Sequence, residues 1–388
     1  EQHFDELVAF RRDLHAHPEI GRHEFRTTDK IVDRLSAAGL EAIRLPTGTG
    51  LLCDLGDGSA DLGKVALRAD IDALRMADEK DVEYRSTNPG VCHACGHDVH
   101  TTIAVGAGLV LAELARSGVL DHGVRLIFQP AEEQLPGGAL DVIAAGGLDG
   151  VGQIFGLHCD PRLEVGQIGL RAGPITSATD IVHIRFSGPG GHTARPHLSA
   201  DLVHALSSIA SQLPIALARH IDSRAGLVMA WGRIHAGSAA NVIPMEGELE
   251  GTIRCLDVDA WEACGELVPR LAREMAAPFG VQVDTEVRRG VPPVVNDPAS
   301  TELLRQAVES TLGPQAVTTT PQSLGGEDFA WYLTKVPGSF ARLGVRSRGD
   351  EPYDIHQGAF DVDERSIADG VRFLVAAALL GAEEDRLP

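Results

Sequence analysis

The sequence predicts an α/β protein in which a mixed, mainly parallel sheet flanked by helices is interrupted by an inserted α+β domain. Three observations carry this. Amphipathic helix patterns alternate with short β-rich runs through the first third of the chain, the order that builds parallel sheets. From residue 177 the texture changes to β-α-β-β-α-β, the split pattern of a ferredoxin-like unit. From VPPVVND, starting at residue 291, the first texture resumes. With 388 residues, too many for one ordinary core, two domains follow: 1–176 with 292–388, and 177–291.

In order, FDELVAFRRDLHAHPEI and RTTDKIVDRLSAAGL have helical spacing, the second closed by a glycine suited to a C-terminal cap. KVALRADIDAL, GVRLIFQPAEE and GQIFGLH begin as apolar strands and end in polar residues. Between them TTIAVGAGLVLAELARSG reads as a buried helix starting just after Asp98, its expected cap. In the insertion DIVHIRFSG, GLVMAWGRIHAG, EGELEGTIRCLD and VQVDTEVRRG read as strands. ADLVHALSSIASQLPIALAR and WEACGELVPRLAREMAAPFG read as the helices between them. Parallel sheets hold ligands beyond the carboxyl ends of their strands, where the polar clusters fall.

Hydrophobic residues make up 44 % and charged residues 23 %, and no apolar run of membrane length stands out, which predicts a soluble protein. The excess of 55 Asp+Glu over 34 Lys+Arg, a net charge of −21, opposes nucleic acid and anionic membranes as partners. Six scattered cysteines do not make a secreted disulfide framework. With no basic and apolar leader at the start of the chain, a reducing, cytoplasmic location is expected.

The stretch VCHACGHDVHTT, residues 91–102, holds the densest chemistry. Cys92 and Cys95 form a CxxC pair, which at a helix start is open to a thiol redox role. A structural zinc ribbon needs a second CxxC, and there is none. Alternatively Cys95 and His97, two apart, offer sulfur and nitrogen to one ion of zinc or a neighbouring transition metal. Similar groups recur after other β-rich runs: Glu132 and Glu133 in FQPAEE, His158 in FGLHCD and His356 in YDIHQGAF. Each alone reads as a solvated or satisfied residue; jointly they read as a metal site. Adjacent glutamates suit a division of labour, one binding metal and one moving a proton.

RRDLHAHPE, ALRADIDAL, HACGHDVHTT, FQPAEE, GGHTARPH, NVIPMEGELEGTIR and GGEDFAWYL, spread over the whole chain, resemble the amidohydrolase branch of the M20 metallopeptidases. That branch contains aminoacylase-like, hippurate, auxin-conjugate and N-acetyl-diaminopimelate hydrolases. The resemblance implies that Cys95, His97, Glu133, His158 and His356 hold two divalent ions, zinc, manganese, cobalt or nickel. It implies Glu132 as general base and His192 as a histidine that polarises the scissile carbonyl in a neighbouring subunit's site. Asn241 and Arg254 match positions that hold the substrate's carbonyl and carboxylate. The reaction so implied is hydrolysis of small-molecule N-acyl amino acids by metal-activated water in a homodimer, the insertion serving as dimerisation domain and lid. A dipeptidase or carboxypeptidase of the same fold is the alternative, and a CxxC thiol oxidoreductase a remote one.

Asp70, Asp72, Glu327 and Asp328 read as carboxylates that orient ligands or line the pocket, and His15, His17, His93 and His100 as structural or supporting. The chain departs from the family pattern at Arg75, where many relatives have proline, and at Cys92, where a hydrophobic residue is common. Cys92 could oxidise against Cys95. GPGGH lacks the Lys-Ser/Thr ending of a phosphate loop and reads as a turn presenting His192.

Overall fold

The structure, a computed structural model, describes residues 3–56, 63–351 and 353–381. The chain forms two compact units. One takes Glu1–Gly173, Val295–Pro321 and Asp328–Pro388; the other takes Pro174–Val294 and Gln322–Glu327. The second unit therefore reaches three residues beyond 177–291 at each end and also captures Gln322–Glu327, which the sequence reading placed in the first. The backbone explains the capture. Ser177 N–H donates to the Gly325 carbonyl at 3.2 Å and Ser323 N–H to the Ile175 carbonyl at 2.8 Å.

The first unit is built on an eight-stranded sheet. Its four inner strands, Val124–Gln129, Lys64–Asp70, Val151–Glu164 and Gly338–Arg346, pair parallel. Leu51–Leu55 pairs antiparallel on one side and Ile168–Leu170 antiparallel on the other, so the sheet is mixed. The inner strands are buried on both faces, as a parallel sheet requires. Helix Phe25–Ala37 ends at Gly39, where φ is +79°, as its sequence predicted.

Helix His97–Arg116 is the central helix, packed against Phe4–Ala16, Arg365–Leu380 and the sheet. It is long and apolar enough to cross a membrane, yet it lies mostly buried in this core, the ordinary place for such a helix. Its start differs from expectation. The first helical residue is His97, the capping position is Gly96 at φ +90°, and Asp98 caps nothing. Asp98 instead ion-pairs in the core, described below.

The second unit has an antiparallel sheet in the order Val228–Ala236, Glu246–Cys255, Ala178–Ser187, Gln282–Val291. In chain order that is 2-3-1-4, the ferredoxin-like arrangement, with helices Leu202–His220 and Val258–Ala276 supplying its apolar core. Each helix is capped by an aspartate side chain, Asp201 accepting from His204 N–H and Asp257 from Ala260 N–H.

Candidate metal centre

Gly96 sets the corner from which the first two donors project. A left-handed φ suits glycine, and a Cβ there would lie 2.8 Å from Cys159 Sγ, so no side chain fits. Cys95 precedes this corner and His97 follows it. Donor atoms of Cys95, His97 and His158 lie within 4.8 Å of one another, as do those of Cys95, Glu133 and His356. Two overlapping triads thus share Cys95. Cys95 Sγ is 3.3 Å from His158 Nε2, and Glu133 Oε1 is 3.2 Å from His356 Nε2. Glu132 joins the cluster with Oε2 4.0 Å from His97 Nε2. All six residues implied for this centre meet here.

The imidazoles are oriented by what their other nitrogen does. His97 Nδ1 donates to the Asp72 carbonyl at 2.9 Å and His158 Nδ1 to the Cys159 carbonyl at 2.7 Å. Each ring therefore turns its Nε2 toward the cluster, the nitrogen a metal ligand offers once it has lost its proton. His97 Nε2 is buried and makes no hydrogen bond. An orphaned buried ring nitrogen among thiol, imidazole and carboxylate groups fits a divalent cation, which would take the place of its proton. One expectation fails: His158 lies inside the long strand Val151–Glu164, not at its end. The strand runs on as far as Glu164, beside Gly338–Arg346.

Carboxylates behind the donors hold them in place. Asp72 accepts the backbone N–H groups of both Glu132 and Glu133 at 3.0 Å, fixing the PAEE turn. Asp70 accepts from His100 Nδ1 at 2.6 Å, and His100 Nε2 accepts the Cys159 N–H at 2.8 Å, so this ring braces the residue after His158. Arg68, 1 % exposed, donates to Asp70 at 2.6 Å and to Asp328 at 2.8 Å. Gln129 Nε2 also donates to Asp328.

The field at the cluster is negative. Burial works against the His97 imidazolium, but Asp70 and Asp72 overcome it and hold the ring up at about 10. Burial and then Glu133, Glu132 and Asp70 push the Cys95 thiol far above its ordinary range. Burial and its basic neighbours hold His158 well below the usual histidine value. The place attracts positive charge, which protons or divalent cations can supply; only the cations leave every donor deprotonated.

A second cluster includes Cys92, the other cysteine of the CxxC pair. Donor atoms of His15, Asp78 and Cys92 fall within 4.8 Å of one another, but Lys80 Nζ sits 2.8 Å from Asp78 Oδ1 and 3.6 Å from Cys92 Sγ. The ammonium supplies the positive charge there, so this cluster is structural. Cys92 and Cys95 thus face different partners, and all six cysteines are free and buried. His93 is buried and pushed down to about 3 by burial, hence uncharged. His17 Nδ1 is taken up by the Asp13 carbonyl, and Arg75 is exposed.

The remaining predicted residues belong to the second unit. Gly191–His192 pairs with Val242–Ile243, and Thr193 N–H donates to the Asn241 carbonyl at 3.2 Å, so His192 and Asn241 share one exposed ribbon. His192 Nδ1 accepts the Ala194 N–H at 3.0 Å, which leaves the ring proton on Nε2. Arg254 lies on strand Glu246–Cys255, half-buried.

The sequence reading missed Arg11, Arg68, Gln129 and Glu24 as supports. A signal existed for Arg68, an arginine inside the apolar run VALRAD, where a charge must find buried partners.

The model of peptidase family M20/M25/M40 matches residues 66–380. An N-acetyl-L-cysteine deacetylase of Bacillus subtilis is 36 % identical over 382 residues, 98 % of this chain and 89 % of that protein. A solved structure from Bacillus subtilis, described as a dinuclear metal-binding peptidase of the M20 family, superposes with a TM-score of 0.85 at 34 % identity, covering 99 % of each chain. A putative glutamate–cysteine ligase 2-3 of Rhodococcus jostii is 50 % identical over 374 residues, yet this chain spans only 46 % of its length, and the ligase name is not carried over. With its family's model matched over most of its length, the chain belongs to the peptidase family M20/M25/M40.

Proposed function

We propose that the protein is a dinuclear metal-dependent amidohydrolase that cleaves N-acyl amino acids to a carboxylic acid and a free amino acid. The observation that carries it is the meeting of Cys95, His97, Glu133, His158 and His356 in one place beside Glu132. Two divalent ions held by those five residues would polarise the amide carbonyl and make an attacking water acidic. Zinc, manganese, cobalt and nickel all suit the mixed sulfur, nitrogen and oxygen donors. Glu132 takes the proton from the attacking water and hands it to the departing nitrogen. His192, carrying its proton on Nε2, donates to the carbonyl oxygen as negative charge builds on it, with Asn241 beside it. Arg254 binds the carboxylate of the amino acid. His192 acts from the partner chain of a homodimer, the inserted unit being both dimerisation domain and lid. A deacetylase acting on N-acetyl-L-cysteine among the relatives supports the choice of acyl amino acids.

Glu132→Ala keeps both ions by elemental analysis and loses about 10²-fold or more in kcat. Near-wild-type turnover in that variant would overturn the assignment. Assays of N-acetyl and N-benzoyl amino acids against dipeptides separate this reading from a dipeptidase.

A further inference from the structure

Arg254 faces Thr179 directly across the sheet, the two being register partners on adjacent antiparallel strands. Its Nη1 donates to Thr179 Oγ1 at 3.1 Å and also to the Leu324 carbonyl. Those two bonds use both hydrogens of Nη1. The same Leu324 carbonyl accepts from the buried Ser177 hydroxyl at 2.8 Å, and Ser177 N–H bonds Gly325. Gly326 closes the arrangement, since a Cβ there would press within 3.0 Å of Thr179 Oγ1. The segment 322–327 is thereby laid along 175–179 with one backbone carbonyl aimed at the guanidinium.

A guanidinium pinned through one terminal nitrogen can rotate little. Its Nε and Nη2 hydrogens, without partners among the described residues, remain as a fixed two-pronged edge, the shape that takes a carboxylate bidentately. Resting on the reading of Arg254 as a carboxylate anchor, we propose that Thr179 and the Ser177-held Leu324 carbonyl are positioning groups that pre-set this edge. They thereby make the enzyme selective for substrates with a free α-carboxylate. The carbonyl also bears partial negative charge and so excludes a second anion from the Nη1 side.

The test compares N-acetyl-L-methionine with N-acetyl-L-methioninamide, identical except for the carboxylate. Thr179→Val keeps the shape and removes the acceptor. It raises KM for the acid about tenfold, the loss expected for one hydrogen bond to a charged group, with kcat within about twofold and the amide unaffected. Thr179→Ser restores the wild-type KM. Should Thr179→Val fail to fold by circular dichroism, Ser177→Ala, which frees the Leu324 carbonyl, shows the same acid-only rise in KM. Equal losses on acid and amide, or an unchanged KM for the acid, overturn the proposal. Arg254→Met tells the two levels apart. If it abolishes the preference for the acid while Thr179→Val does nothing, only the positioning role is lost. If the preference survives Arg254→Met, the anchor reading is lost with it.

Discussion

Glu24 is fully buried, and its Oε1 accepts the Ala131 N–H at 2.7 Å. Ala131 opens the PAEE turn at φ +54°, a left-handed backbone that costs a residue with a Cβ roughly 1–2 kcal/mol. The carboxyl group thus helps hold a strained turn beneath Glu132 and Glu133. Burial, then the charge on Asp72, pushes Glu24 up to about 7. A carboxyl raised above its unfolded value of 4.5 stabilises the fold below that value, and the contribution is lost as pH rises through about 7. Between pH 5 and pH 8 this group alone should remove on the order of 3 kcal/mol. Glu24→Gln keeps the acceptor and removes the titration. Urea unfolding midpoints at the two pH values should therefore fall less for the variant than for the wild type; equal falls would show that Glu24 does not titrate in this range. At this scale the donor types at the centre were legible from the chain, because ligands are a short chemical menu. Their supports were not: any glutamate can end a helix or a turn, and only the fold brought Glu24 to Ala131.

Helix His97–Arg116 shows the same split between pattern and place. Its apolar length is evident in the sequence, which offers Asp98 as its cap, yet Asp98 is a buried partner of Arg11 at 2.7 Å and of His15 Nδ1 at 2.7 Å. Arg11 also reaches Asp361 at 3.0 Å, a few residues after His356. The ion cluster ties helix Phe4–Ala16 to the start of the central helix and to the stretch that follows His356. Removing one partner of a buried pair leaves the other charge uncompensated, which costs about 3–5 kcal/mol. Asp98→Ala should lower stability by that order in chemical denaturation, and a loss below about 1 kcal/mol would show that Arg11 is satisfied without it. Nothing in RRDLHAHPE distinguishes a buried arginine from its exposed neighbour Arg12, since both share the same polar texture.

For the whole molecule, the insertion was legible because a change from alternating β-α texture to β-α-β-β-α-β marks a separate unit. The sheet order 2-3-1-4 is the one a split β-α-β unit gives. The segment Gln322–Glu327 was not, since it pairs with residues about 150 positions earlier. The proposed cross-subunit role of His192 belongs to this scale. Mixing His192→Ala with Glu132→Ala protein and allowing subunits to exchange should recover activity, because each heterodimer retains one site with both residues intact. Exchange without recovery would place His192 in its own chain's site or outside catalysis. The net charge of −21 is compatible with the proposed anionic substrate, because the proposed anchor Arg254 would act over a few ångströms while the global field is screened within about 8 Å at physiological salt.

By itself the chain determined the α/β class, the β-α-β-β-α-β texture of the inserted unit, the residue types gathered at the candidate centre and the adjacency of Glu132 and Glu133. These are local matters of periodicity, spacing and side-chain chemistry. Tertiary structure alone decided that Cys95 and Cys92 serve different clusters, that His158 sits within a strand, and that Lys80 fills the second cluster. It also decided which nitrogen each histidine presents. Those outcomes depend on groups far apart in sequence competing for the same buried space, where an unpaired charge or orphaned donor costs several kcal/mol. Only the folded arrangement shows which partner won.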